Sequence, residues 1–171
     1  MNSSEVLIDA LGRVRDVVKT TVEGLDDAGL TYRAGPGTNT IAWLIWHLTR
    51  IQDDHIAGVA GTEQVWIQEA WHERFDLPFH TRDTGFGHDD SAVSAVKVDS
   101  GLLIGYHDAV HSRSVDYLSG LSDDDLDRVI DENWDPPVTL GVRLVSVVND
   151  DMQHAGQAAL IKGVAIRDSS I

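Results

Sequence analysis

Residues 139–163 read TLGVRLVSVVNDDMQHAGQAALIKG, and this stretch decides the architecture. Thr139 can cap a helix N-terminus through its hydroxyl, and Gly163 is a natural residue just past a helix end. Between them Leu140, Leu144, Val145, Val147, Val148, Met152, Ala155, Ala158 and Ile161 recur at spacings of three and four. That is the period of a helix with one apolar face. Lys162 falls in the last turn, where a cation meets the negative end of the helix dipole.

Three similar patterns precede it. Ser3 or Ser4 can cap a first helix with the stripe Val6, Leu7, Ala10, Leu11, Val14, Val17, Val18 and Thr21, stopped by Gly24 and Asp26-Asp27. Gly29 to Gly37, with Pro36, reads as a loop. Thr38 or Asn39 then caps a second helix carrying Ile41, Leu44, Ile45, Leu48, Ile51, Ile56 and Val59, closed by Gly58 and Gly61. A third runs from about Gly101 to Leu118 and stops at Gly120. Between the second and third, Trp66, Trp71 and Phe75 are spaced like the buried side of a short helix that Pro78 breaks. His80 to Asp90 is a loop, and a helical turn follows over Ser91–Val98. Ser122 to Asp125 caps another short turn, and Asn133 to Pro137 is an extended connector. No strand ladder or repeat is evident. The expected fold is all-α: one four-helix-bundle domain over 1–171, with an irregular insertion between helices two and three. So long a middle connection argues against a simple up-down-up-down meander.

Composition narrows the function. Lys+Arg number 13 against 28 Asp+Glu, a net charge of −15, which disfavours nucleic acid and anionic membrane surfaces. No apolar run approaches the ~18 residues of a membrane span, and the N-terminus lacks a signal-peptide pattern, so a cytoplasmic protein is expected. Cys is absent, which removes disulfides, thiolate ligands and a cysteine nucleophile. His/carboxylate chemistry remains, with 8 His available.

Bundles place metal ligands on inward-facing positions of their helices. Asp150 and His154, four apart at ~100° per residue, lie within about 40° of each other and make a two-ligand arm. A third ligand must come from another helix. His47, in Trp43-Leu44-Ile45-Trp46-His47-Leu48, flanks the apolar stripe of the second helix; His55 on the same helix is its rival. His107 and His111 form another i, i+4 pair, which reads as surface. His72, His80 and His88 fall in irregular segments. Two His and one carboxylate leave an ion with an open position, the catalytic arrangement for zinc, and the same set suits non-haem iron.

The run Ala42 to Leu48, the segment Trp66…Trp71…Phe75-Asp76-Leu77-Pro78 and the ending Asp150-x-x-x-His154-Ala155-Gly156-Gln157 resemble the DinB-like superfamily of metal-binding four-helix bundles, over about residues 5 to 163. The resemblance implies metal ligation by His47, Asp150 and His154. Many relatives carry His where Asp150 stands. A carboxylate there resembles the branch that includes mycothiol-dependent maleylpyruvate isomerase, which uses Glu, one methylene longer. That isomerase also has a further C-terminal domain that this sequence lacks, so its isomerisation is not carried over. The superfamily implies transferase or isomerase chemistry with low-molecular-weight thiols. A divalent ion, zinc first and nickel or iron next, would lower the pKa of the thiol and so supply the nucleophile that the chain lacks.

The expected activity is therefore metal-dependent S-transfer from a small thiol to an electrophile, for detoxification. The −15 charge and an Arg-over-Lys bias of 10 to 3, as in GC-rich genomes, favour neutral mycothiol over anionic glutathione. Arg143 and Arg50 are the cations nearest the ligands. Gln157, Asp151 and Asp54 are candidates to orient ligands, with Asp151 pairing to Arg143 or His55. Trp43, Trp46 and Trp134 could wall a pocket or form plain core. Two alternatives stand. One is a metal-dependent hydrolase with Asp151 or Asp54 as base, and the other a non-catalytic, stress-associated metal protein whose shell a fourth ligand such as His55 closes. Trp-rich, apolar surface on the first three helices suggests a homodimer.

Overall fold

The computed structural model describes residues 1–168, and among these the chain is mostly helical. Four long helices dominate: α1 (Ser3–Val22), α3 (Ile41–Ala60), α7 (Ser100–Ser119) and α8 (Leu140–Arg167). Short helices α2 (Asp27–Leu30), α4 (Val65–Gln68), α5 (Trp71–Phe75) and α6 (Asp90–Ala95) lie in the connections. α8 packs on α3 and α1, and α7 packs on α1 and α3. The pairs α1/α3 and α7/α8 therefore sit diagonally, and both connections cross the bundle instead of meandering around it. Among the described residues, no helix is long and apolar enough to cross a membrane.

The caps are set by reach, and two differ from the sequence expectation. Asn2, not Ser3 or Ser4, caps α1: its side chain accepts from Glu5 N while the Glu5 carboxylate accepts from Asn2 N, a reciprocal capping box. Thr40, not Thr38 or Asn39, caps α3 by accepting from Trp43 N. Thr139 caps α8 as expected. Gly163 does not end α8, which continues to Arg167. Nearby, Lys162 donates to the carbonyls of Thr20 and Glu23 at the end of α1, so tertiary packing extends the helix past a permissive glycine. The loop expected over Gly29–Gly37 begins inside α2. A small ladder unseen in the sequence, β1 (Val129–Asp131) against β2 (Val138–Thr139), leads into α8.

α3 is buried on every side from Ile41 through Arg50. One-sided amphipathicity does not explain that, but the insertion does. Trp66, Trp71 and Phe75 pack with Tyr106 and Trp46 in one aromatic cluster. They come from two short helices separated by Ala70 at φ 54°, not from one. Four of the five Trp are buried, three of them in this cluster, and only Trp134 is exposed. Arg50, fully buried, donates to the Asp83 carbonyl and to Tyr106 Oη, which in turn donates to Asp53 at 2.8 Å. On α8, Val145 and Met152 point to solvent although both belong to the expected stripe; Val6 and Val17 do likewise on α1.

Candidate metal centre

His47 on α3 faces Asp150 and His154 on α8, and one donor atom from each of the three lies within 4.8 Å of the others. The two imidazoles meet edge to face at 4.9 Å between centroids, and His154 Nε2 is 3.6 Å from Asp150 Oδ1. Among the described residues, this is the one group of three or more His or carboxylate side chains so arranged.

Each imidazole has a fixed tautomer. A carbonyl only accepts, so His47 Nδ1 donates to Thr84 O, at 2.5 Å. Likewise His154 Nδ1 donates to Gln157 Oε1 at 3.0 Å, since an amide oxygen also only accepts. Nε2 of both rings is then a lone pair. Burial lowers the pKa of His47, neighbouring His154 lowers it further, and the Thr84 carbonyl partly opposes them. His47 is therefore neutral at physiological pH, the form that ligates. Asp150 Oδ2 is buried with no hydrogen-bond partner. A buried carboxylate oxygen without a partner is costly unless a cation meets it. The donor set thus fits a divalent ion.

Trp43 stacks on His47 at 4.6 Å and meets His154 in a T-shaped contact at 6.4 Å, so this residue backs both rings while itself buried. Its Nε1 donates to His88 Nδ1. The loop bearing Thr84 and His88 lies over α3 at Gly85, where a Cβ would come within 2.9 Å of both His47 Nδ1 and the Trp46 ring. The sequence reading missed this contact. Its one local signal was Gly85-Phe86-Gly87 inside the expected loop, and nothing in the spacing said which side chain the loop would touch.

The other candidates separate. His55 stays outside the group and accepts from Arg143 Nη1 at 3.1 Å. His107 is buried, contrary to the surface expectation, because α7 turns that face toward Thr49 of α3. Asp151 pairs with neither Arg143 nor His55. It is fully buried, both its oxygens lack partners, and burial with help from Asp150 holds its carboxyl well above the usual range. Asp54 accepts from Gln64. Arg50 is sealed in the core, which leaves Arg143 as the cation of that pair near the seam.

A bundle with this connectivity, carrying a two-His, one-carboxylate group between α3 and α8, is of the DinB-like class. Within it the chain belongs to the mycothiol S-transferase family, whose model matches residues 6–165. It is similar to the crystal structure of a conserved protein from Enterococcus faecalis, with 30% identity, a TM-score of 0.89, and coverage of 97% of this chain and 98% of that one. No curated protein matches the chain.

Proposed function

We propose that the protein is a divalent-metal-dependent S-transferase that conjugates mycothiol to an electrophile in detoxification, working in the cytoplasm as a homodimer. The observation that carries this is the convergence of two Nε2 lone pairs and an unpartnered carboxylate oxygen in a chain of the mycothiol S-transferase family. His47, Asp150 and His154 hold the ion, zinc first and nickel or iron next. When bound, the ion supplies a position for a thiol sulfur and lowers the thiol pKa, giving a thiolate at neutral pH. The protein's part is positional. Thr84 and Gln157 fix the imidazole tautomers, Trp43 walls the site, and three protein ligands leave the shell open to substrate. His55, held by Arg143, does not close that shell.

Hydrolysis would need a base beside the ion. Asp54 is engaged by Gln64 and Asp151 is sealed from water, so neither supports that alternative. Zinc-loaded protein assayed with mycothiol and glutathione against a panel of electrophiles tests the proposal. Turnover with mycothiol is expected, lost on chelation and in His47→Ala. Equal or faster turnover with glutathione at low ionic strength overturns the thiol preference, and no turnover with any thiol overturns the transferase.

A further inference from the structure

A groove of about 510 Å³ between α3, α8 and β1 plays no part in the chemistry above. Asp54, His55 and Gly58 of α3 wall it on one side, Arg143 of α8 on another, and Arg128 and Asp131 close it. Its volume is within the range of small-molecule sites, roughly 300–1,000 Å³.

Helix geometry relates the groove to the three donors. His47 faces Asp150 and His154, while His55 meets Arg143, so rising numbers on α3 meet falling numbers on α8 and the two helices run antiparallel. Asp54 stands one heptad beyond His47, and Arg143 one heptad before Asp150. A heptad advances about 10 Å and returns to within roughly 20° of the same face. The groove therefore continues the α3/α8 seam about one heptad, some 10 Å, from the donors. Asp150 acts electrostatically on His55 across that interval. At Gly58 a Cβ would meet nothing within 4 Å, so the glycine leaves open space.

The lining is charge-balanced. Arg143 lies 3.5 Å from Asp131, and Arg128 donates to Tyr117 Oη. Two guanidinium groups against two carboxylates give little net pull on a charged ligand but many donors and acceptors. Hydroxyl groups, which both donate and accept, match such a surface.

We propose that this groove receives the uncharged, hydroxyl-rich body of the thiol co-substrate, with Asp54 and Asp131 accepting from its hydroxyls and Arg128 and Arg143 donating to them, while the sulfur lies at His47, Asp150 and His154. The proposal rests on the metal–thiol reading and adds where specificity for a sugar thiol resides. A short thiol occupies the donors alone and draws nothing from the groove.

The test uses cobalt-loaded wild type and Gly58→Leu, titrated with mycothiol and with 2-mercaptoethanol while the thiolate-to-cobalt charge-transfer band is followed. Leucine fills the groove and favours the helix more than glycine does, so cobalt content and Tm are expected to hold. The ratio of mycothiol to 2-mercaptoethanol affinity is expected to fall about tenfold or more, equivalent to about 1.4 kcal/mol. Arg143→Met is expected to lower the same ratio without filling space. Bands with both thiols and an unchanged ratio in both variants overturn the groove assignment and leave the metal–thiol reading standing. No band with either thiol in the wild type overturns that reading and the groove with it.

Discussion

His47 donates its Nδ1 proton to the carbonyl oxygen of Thr84, a residue 37 positions later in the chain. One backbone oxygen of an irregular loop thus determines which nitrogen of a core histidine is presented to the candidate metal centre. The loop approaches so closely only because the next residue is Gly85, at φ +92°. Gly85→Ala is expected to strain the backbone and drive a methyl against His47 and Trp46. Zinc affinity measured by calorimetry should fall about 10–100-fold, the usual effect of losing a group that orients a ligand. Stability should drop by about 1–3 kcal/mol in denaturant melts.

Gln157 gives a cleaner separation of metal binding from folding, because its contact with His154 is at the surface. Gln157→Leu should leave Tm nearly unchanged and weaken zinc binding by roughly tenfold or more. His47→Ala and His154→Ala should each lose most bound metal by elemental analysis. Full occupancy in either alanine variant removes the ligand assignment.

Acid sensitivity is expected from His107, which lies outside the donor group. Thr49 Oγ1 donates to Ile45 O and so accepts from His107 Nδ1, leaving His107 Nε2 buried without a partner. Burial, with His111 adding to it, lowers the His107 pKa to about 3. Between pH 6.5 and 3 the unfolded chain binds a proton there that the native chain refuses. This contribution is absent above pH 6.5, and stability is lost as pH falls below it, by about 1.4 kcal/mol for each pH unit. His107→Gln should flatten stability against pH over that window in urea titrations. An unchanged slope refutes the assignment.

Arg50 and Asp53 form a buried pair 3.6 Å apart, joined through Tyr106. Arg50→Met removes the cation and leaves the Asp53 carboxylate with burial unopposed by charge. Urea unfolding should show a loss of about 3–5 kcal/mol. The double variant Arg50→Met/Asp53→Asn should recover part of it, since the unpaired buried charge is then gone.

The proposed homodimer has a different basis from the one that the sequence suggests. Tryptophans of the insertion lie in the core, whereas Val142, Val145, Met152 and Leu160 are exposed along α8 at helical spacing. Light scattering at micromolar concentration should give a dimer for the wild type and a monomer for Val145→Lys/Leu160→Lys. A wild-type monomer refutes it.

Periodicity at three and four made the four long helices legible, because each must bury an apolar stripe whatever its neighbours are. Spacing likewise put Asp150 and His154 on one face, a consequence of 3.6 residues per turn that needs no tertiary information. Its place in an apolar run made His47 the best third candidate with His55 its rival, and the family resemblance chose His47. What the sequence could not show were relations between residues far apart in the chain. The diagonal arrangement of α1 with α3, the burial of His107, the docking of Lys162 that carries α8 past Gly163, and the Thr84 carbonyl on His47 all depend on which surfaces meet after folding. Local pattern determined the helices and two of the three candidate ligands. Long-range packing alone decided which tautomer and which neighbouring groove surround it, because hydrogen bonds across 37 or more residues leave no period in the sequence.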